Sequence, residues 1–135
     1  MNMMTELAGV AQGAPLVATM RIAGEAVDNA RRIEVRNPFS GALVGTVPKA
    51  TVDDVRRAFA IAKAYRARLT RYERSAIMQK AAALIRERTE AISDLITAEA
   101  GLCKKDTRYE VGRACDVFTF AANAALQDDG QIFSC

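Results

Sequence analysis

The stretch Val35-Arg36-Asn37-Pro38-Phe39-Ser40-Gly41-Ala42-Leu43-Val44-Gly45-Thr46-Val47 decides how this chain is read. Just before and into it, Arg32-Ile33-Glu34-Val35-Arg36 alternates charged and apolar residues, the two-residue period of a half-buried strand. Asn37-Pro38 ends that strand, because proline cannot donate to a ladder and pushes its predecessor toward extended geometry. Ser40-Gly41 signals a turn, and Leu43 to Val47 reads as the next strand. Further upstream, Arg21-Ile22-Ala23-Gly24-Glu25-Ala26-Val27 reads as one short strand broken at Asp28-Asn29-Ala30. A small antiparallel hairpin or meander follows.

Downstream the period changes to that of helices. Thr51 with Asp54 forms a capping box, and Val55, Phe59 and Ala62 share one apolar face opposite Arg56, Arg57, Lys63 and Arg66. This predicts a surface helix of about 16 residues. Thr70 and Glu73 form a second box, with Ile77, Ala81, Leu84 and Ile85 as its buried stripe. A third helix starts near Thr89, buries Ile92, Leu95 and Ile96, and ends where Gly101 can take the left-handed conformation. The last is expected to start at Asp106 or Thr107, with Thr107 and Glu110 repeating the box. Its apolar residues, Val111, Ala114, Cys115, Phe118, Ala121, Ala122 and Ala125, are mostly small, which predicts close packing on more than one side. Asp128-Asp129-Gly130 closes that helix, and residues 131–135 read as the start of a further strand, as in a truncated domain.

Composition narrows the chemistry. The chain has 135 residues, enough for one domain with a core, and it contains neither histidine nor tryptophan. Without histidine there is no imidazole base, no Ser–His or Cys–His pair and no imidazole metal ligand. Cys103, Cys115 and Cys135 are odd in number and lack C-x-x-C spacing, so they indicate free thiols in a reducing compartment rather than a disulfide framework or zinc site. A net charge of +3, with basic residues scattered among acidic ones, gives no footprint for nucleic acid or an anionic membrane. Residues 1–20 carry Glu6 and no Lys or Arg, unlike a secretory signal, and no segment reaches a membrane-spanning apolar length. A flexible arm over 1–20 on a cytoplasmic protein is expected.

The ordered set of motifs resembles the opening section of the aldehyde dehydrogenase superfamily. Residues 35–47 look like its Asn-Pro turn and glycine-containing hairpin, and Thr51-Val52-Asp53-Asp54-Val55 with Ala58, Ala62 and Ala64 is similar to its first helix. Arg71, Arg74 and the run from Ile77 to Ile85 match the second helix; Glu99 and Gly101, then Glu110-Val111-Gly112-Arg113-Ala114, match the third and fourth. The resemblance implies an α+β fragment, short antiparallel strands then four helices, belonging to the α/β aldehyde dehydrogenase fold. Residues 21–135 would be the N-terminal portion of the dinucleotide-binding domain. The implied reaction is oxidation of an aldehyde to the acid with NAD or NADP through a cysteine thiohemiacetal. The nucleophile, the base and the cofactor site of that family all lie outside this chain. The 135-residue chain alone is therefore expected to be inactive and to bind no cofactor, and the longer protein to be a homo-oligomer.

Two sets of residues carry the implied chemistry. Lys104, Lys105 and Arg108 crowd the start of the last helix, where cations oppose the dipole and backbone N–H groups favour an anion. In the family the corresponding helix borders the aldehyde entrance, so Arg108 is expected to help select an anionic aldehyde such as phosphonoacetaldehyde, with Lys104 and Lys105 as outer contributors; the other reading is that the three are solvated and pair with Asp106 or Glu110. Val35, Arg36 and Glu99 occupy positions that resemble a monovalent cation site of backbone oxygens and one carboxylate. The alternative is a stand-alone helical interaction module or an inactive remnant.

Overall fold

The computed structural model describes residues 14–127 and 130. Five short strands precede four helices among them: β1 Leu16–Val17, β2 Met20–Ile22, β3 Glu25–Val27, β4 Arg32–Arg36, β5 Leu43–Pro48, α1 Val52–Ala64, α2 Arg71–Glu87, α3 Thr89–Ala100 and α4 Lys104–Ala124. The expected continuation over 131–135 and most of the expected arm lie outside the described residues.

Strands β4 and β5 form the antiparallel hairpin that the Asn-Pro stretch predicts, in register from Arg32 opposite Pro48 to Val35 opposite Gly45, with an irregularity between Val35 and Arg36. Not all pairing is antiparallel. Strand β1, within the expected arm, lies parallel to β5, with Leu16 opposite Gly45. Glycine is required there, since a Cβ on Gly45 would sit 2.5 Å from the Leu16 carbonyl oxygen. The single strand expected over Arg21–Val27 is instead the hairpin β2–β3. Its turn, Ala23-Gly24, takes positive φ at both residues (53° and 85°), the mirror-image geometry that matches strand twist in two-residue hairpins. Gly24 was the local mark of that turn.

Two of the three predicted capping boxes form. The Thr51 hydroxyl accepts from the Asp54 N–H while the Asp54 carboxylate accepts from the Thr51 N–H at 2.8 Å, and Thr70 with Glu73 repeats the exchange. Helix α1 has 13 residues rather than about 16, because Tyr65 turns extended. It is the surface helix expected, and its apolar face stands open, with Phe59 72% and Val55 48% exposed; Ile77, expected in the buried stripe of α2, is also exposed. No described element packs broadly against α1, so the periodicity marks a face that this chain leaves open.

Helix α4 packs across α2 and α3. Val111, Cys115 and Ala122 of α4 are buried, as is Ala82 of α2, and the Cys115 thiol donates to the Ala82 carbonyl at 3.7 Å. The small residues thus let the helices approach closely, on two sides as predicted. The expected start of α4 was wrong. The helix begins at Lys104 with Cys103 as a cap that makes no side-chain hydrogen bond, and Thr107 does not cap it. Thr107 is fully buried, and its hydroxyl shares a 2.6 Å hydrogen bond with the equally buried Ser93 of α3.

One local device ties the strands to the helices. The Asn37 side-chain oxygen Oδ1 accepts from the backbone N–H groups of Phe39 (3.1 Å) and Ser40 (2.9 Å), which shapes the turn, and its side-chain Nδ2 donates to the Ala98 carbonyl near the end of α3 at 2.8 Å. Gly101 ends α3 with φ of 73°, donating its N–H to Thr97, and a Cβ there would lie 2.8 Å from Cγ of Pro38.

Candidate functional site

Helix α4 starts with two lysines, which the dipole at a helix N-terminus disfavours. The preceding helix supplies the compensation. Because α3 and α4 pack antiparallel across a short connection, Glu90 and Asp94, one turn apart on α3, face the first turns of α4. Lys104 places its ammonium 2.6 Å from Asp94 and 3.7 Å from Glu90. Arg108, one turn further along α4, grips Glu90 with both ends of its fork: Nε to Oε1 at 2.9 Å and Nη2 to Oε2 at 2.8 Å. That bidentate hydrogen bond is the first cause holding the Glu90 carboxyl below its ordinary range, and it raises the Arg108 guanidinium above its own. Both ions stay charged across the physiological range.

The structure therefore brings Arg108 and Lys104 together on one carboxylate, and it leaves Lys105 apart, exposed and without an ion pair to any described residue. Arg108 is itself exposed. With Nε and Nη2 committed to Glu90, its Nη1 makes no hydrogen bond to a described residue and keeps two N–H donors available. Sequence reasoning sought the neutralising anion in a ligand or in Asp106 or Glu110 of the same helix, and missed Glu90 and Asp94. Their four-residue spacing, which puts both on one face of α3, was the available signal.

The second expected set is divided. Val35 and Glu99 line one small pocket of about 50 Å³, together with Thr46 and Leu95, at the junction of the strands with α3. Arg36 does not line it; its guanidinium pairs with Glu34 at 2.7 Å and donates to the Gly41 carbonyl at 3.0 Å. Among the described residues no three Cys, Asp or Glu side chains cluster to hold a metal ion. No helix among them is long and apolar enough to cross a membrane.

A family model described as the aldehyde dehydrogenase family matches residues 26–135. The chain belongs to that family. Among aldehyde dehydrogenases, it is 32% identical over 109 residues to a 3-sulfolactaldehyde dehydrogenase from Priestia aryabhattai, covering 80% of this chain and 23% of the relative. It is 33% identical over 103 residues to aspartate-semialdehyde dehydrogenase 1 from Pseudomonas canavaninivorans, covering 74% of this chain and 22% of the relative. The crystal structure of an NAD-dependent aldehyde dehydrogenase from Sinorhizobium meliloti superposes with a TM-score of 0.74 at 36% identity, over 80% of this chain and 23% of that one. This aldehyde dehydrogenase chain thus spans less than a quarter of the length of these relatives, and its strands followed by helices are a fragment of their fold.

Proposed function

We infer that this chain forms the N-terminal portion of an NAD- or NADP-dependent aldehyde dehydrogenase that oxidises an anionic aldehyde to the acid. The observation that carries the reading is Arg108: its exposed guanidinium is held by Glu90 through Nε and Nη2, and Nη1 makes no hydrogen bond to a described residue. Family membership supports the oxidation. The names of two relatives support the anion, since 3-sulfolactaldehyde carries a sulfonate and aspartate semialdehyde a carboxylate, whereas the benzaldehyde named for another is neutral. In this reading a cysteine elsewhere in the longer protein adds to the aldehyde carbon, a bound nicotinamide would supply the acceptor for the hydride on that carbon, and water would release the acid from the cysteine. Arg108 binds the anionic end of the substrate, and Lys104 and Lys105 add to the positive field. Phosphonoacetaldehyde is a substrate of the right charge.

The described residues do not fit the dinucleotide. The only strand-to-helix connection among them, from Pro48 to Thr51, has no glycine with which to bring backbone N–H groups against a pyrophosphate. In this reading the cofactor is held by residues outside this chain. Carbonyl oxygens of Val35 and Arg36 with the Glu99 carboxylate are proposed to hold a potassium or sodium ion, oxygen donors suiting a hard cation. A cytoplasmic homo-oligomer completes the reading. The open apolar face of α1 favours one alternative, a helical module that docks on a partner.

The test is kinetic. In the enzyme that carries this segment, Arg108→Ala is expected to lower kcat/KM for an anionic aldehyde about 10- to 100-fold more than for a neutral aldehyde of similar size. Equal losses for the two substrates would remove the selective role of Arg108.

A further inference from the structure

Beside the Arg108–Glu90 pair, a cleft of about 330 Å³ opens between α4 and the corner where α2 meets α3. We propose that this cleft is a binding site for a compact tetrahedral oxyanion, the chemistry shared by inorganic phosphate and the phosphonate or sulfonate end of a larger molecule. The proposal deepens the proposed function by giving Arg108 two further partners, and it rests on that function only for the identity of the natural anion.

Three guanidinium groups line the cleft, those of Arg86, Arg108 and Arg113, against one carboxylate, Asp116. Glu90 and Glu110, which pair with Arg108 and Arg113, lie outside the lining and bring the local charges to three against three, so the attraction comes from unfilled N–H donors rather than from net charge. A tetrahedral oxyanion can take donors from three guanidinium groups in different directions at once, which a planar carboxylate cannot. The donors are available. Arg86, in the last turn of α2, makes no ion pair with a described residue. Arg113 has a single 3.4 Å contact with Glu110 on the exposed surface, an interaction worth little and readily exchanged. Arg108 contributes the Nη1 donors that Glu90 leaves free. Guanidinium forks match tetrahedral oxyanions two bonds at a time. The volume lies at the lower bound for small-molecule sites.

Gly112 is the independent observation. It is the one glycine inside a described helix, in the interior of the 21-residue α4, where glycine is poorly suited. Packing among the described residues does not explain it, because a Cβ there would meet nothing of theirs within 4 Å. Gly112 lines the cleft, between Arg108 and Asp116 on the same row of α4, and its bareness is what leaves the floor open.

The experiment titrates the 135-residue chain with inorganic phosphate at low ionic strength, followed by amide NMR shifts, with matched chloride as the control. Saturable shifts at Thr89, Gly112 and Arg113 are expected. Arg86→Gln combined with Arg113→Gln should weaken binding about tenfold or more. Gly112→Leu should abolish it while keeping or raising the thermal midpoint, since leucine is the better helix former; a lost site in a better-folded chain cannot be misfolding. Methylphosphonate competing at the same residues would assign the natural anion to an organic ligand, and its exclusion would assign it to free phosphate. Linear, unsaturable shifts, binding unaffected by either variant, or equal binding of acetate would overturn the proposal. The two readings fail separately: equal kinetic losses on Arg108→Ala with a saturable phosphate titration would remove the substrate assignment and leave the anion site. A failed titration removes the anion site whatever the kinetics.

Discussion

Replacing Gly101 by alanine separates two costs that usually travel together, because a second glycine in the same backbone conformation provides the control. Gly101 and Gly41 both sit in the left-handed region, at φ of 73° and 71°. A Cβ on Gly41 would meet nothing within 4 Å, whereas one on Gly101 would lie 2.8 Å from Cγ of Pro38. Gly41→Ala therefore reads the backbone term alone, about 1–2 kcal/mol for an L-residue held in that region. Gly101→Ala adds displacement of the Pro38 ring, an overpacking cost of about 1–3 kcal/mol. It also strains the neighbouring Asn37-to-Ala98 hydrogen bond, 2.8 Å long, whose net contribution is about 1 kcal/mol. Gly101→Ala should thus destabilise by about 2–5 kcal/mol, a large part of the stability of a domain this size.

The assay is urea denaturation of both variants followed by far-UV circular dichroism, with Pro38→Ala in the wild-type and Gly101→Ala backgrounds to complete a double-mutant cycle. A coupling of about 1 kcal/mol or more between positions 38 and 101 is expected. If Gly101→Ala and Gly41→Ala lose the same stability and the cycle shows no coupling, the Asn-Pro turn and α3 do not meet in a tight contact.

Two further outcomes follow from buried and capping groups. Thr107→Val should cost about 1–3 kcal/mol by stranding the buried Ser93 hydroxyl, and adding Ser93→Ala should recover part of that loss; an additive double variant would refute the pair. The N-cap bonds from Thr51 and Thr70 hold Asp54 and Glu73 below their ordinary pKa, first through the backbone N–H and then through the hydroxyl. A depressed carboxylate contributes stability above its unfolded pKa and loses it as pH falls through the folded one. The midpoint of an Asp54→Asn/Glu73→Gln variant should accordingly fall less between neutral pH and the acid side of the carboxylate range, and an unchanged acid limb would count against the caps.

What could be read in advance was local. The capping boxes at Thr51 and Thr70 and the left-handed end of α3 at Gly101 depend on residues three or four positions apart, so the chain itself displays them. The β4–β5 hairpin is equally local, its strands separated by six residues. The start of α4 failed for the opposite reason. Thr107 and Glu110 have the spacing of a capping box, but the Thr107 hydroxyl is taken by Ser93, fourteen residues earlier, on a helix whose packing against α4 no local rule discloses. The single strand over Arg21–Val27 failed because it passes over the turn signal of Gly24 at its centre.

The same distinction governs the site. That Lys104, Lys105 and Arg108 need an anion is visible in sequence, because the dipole of α4 and the like charges are local facts. Which anion answers is a tertiary fact: Glu90 and Asp94 lie ten to eighteen residues away and reach α4 only because the α3–α4 connection is short. Their presence changes what Arg108 can do. An unpaired arginine would swing freely toward any passing anion, losing side-chain entropy on binding. Held by Glu90 at two nitrogens, it offers fewer donors, but their direction is already fixed, and preorganised donors lose less entropy on binding. The Arg108–Glu90 pair is therefore better understood as an orienting contact than as a competitor for the ligand.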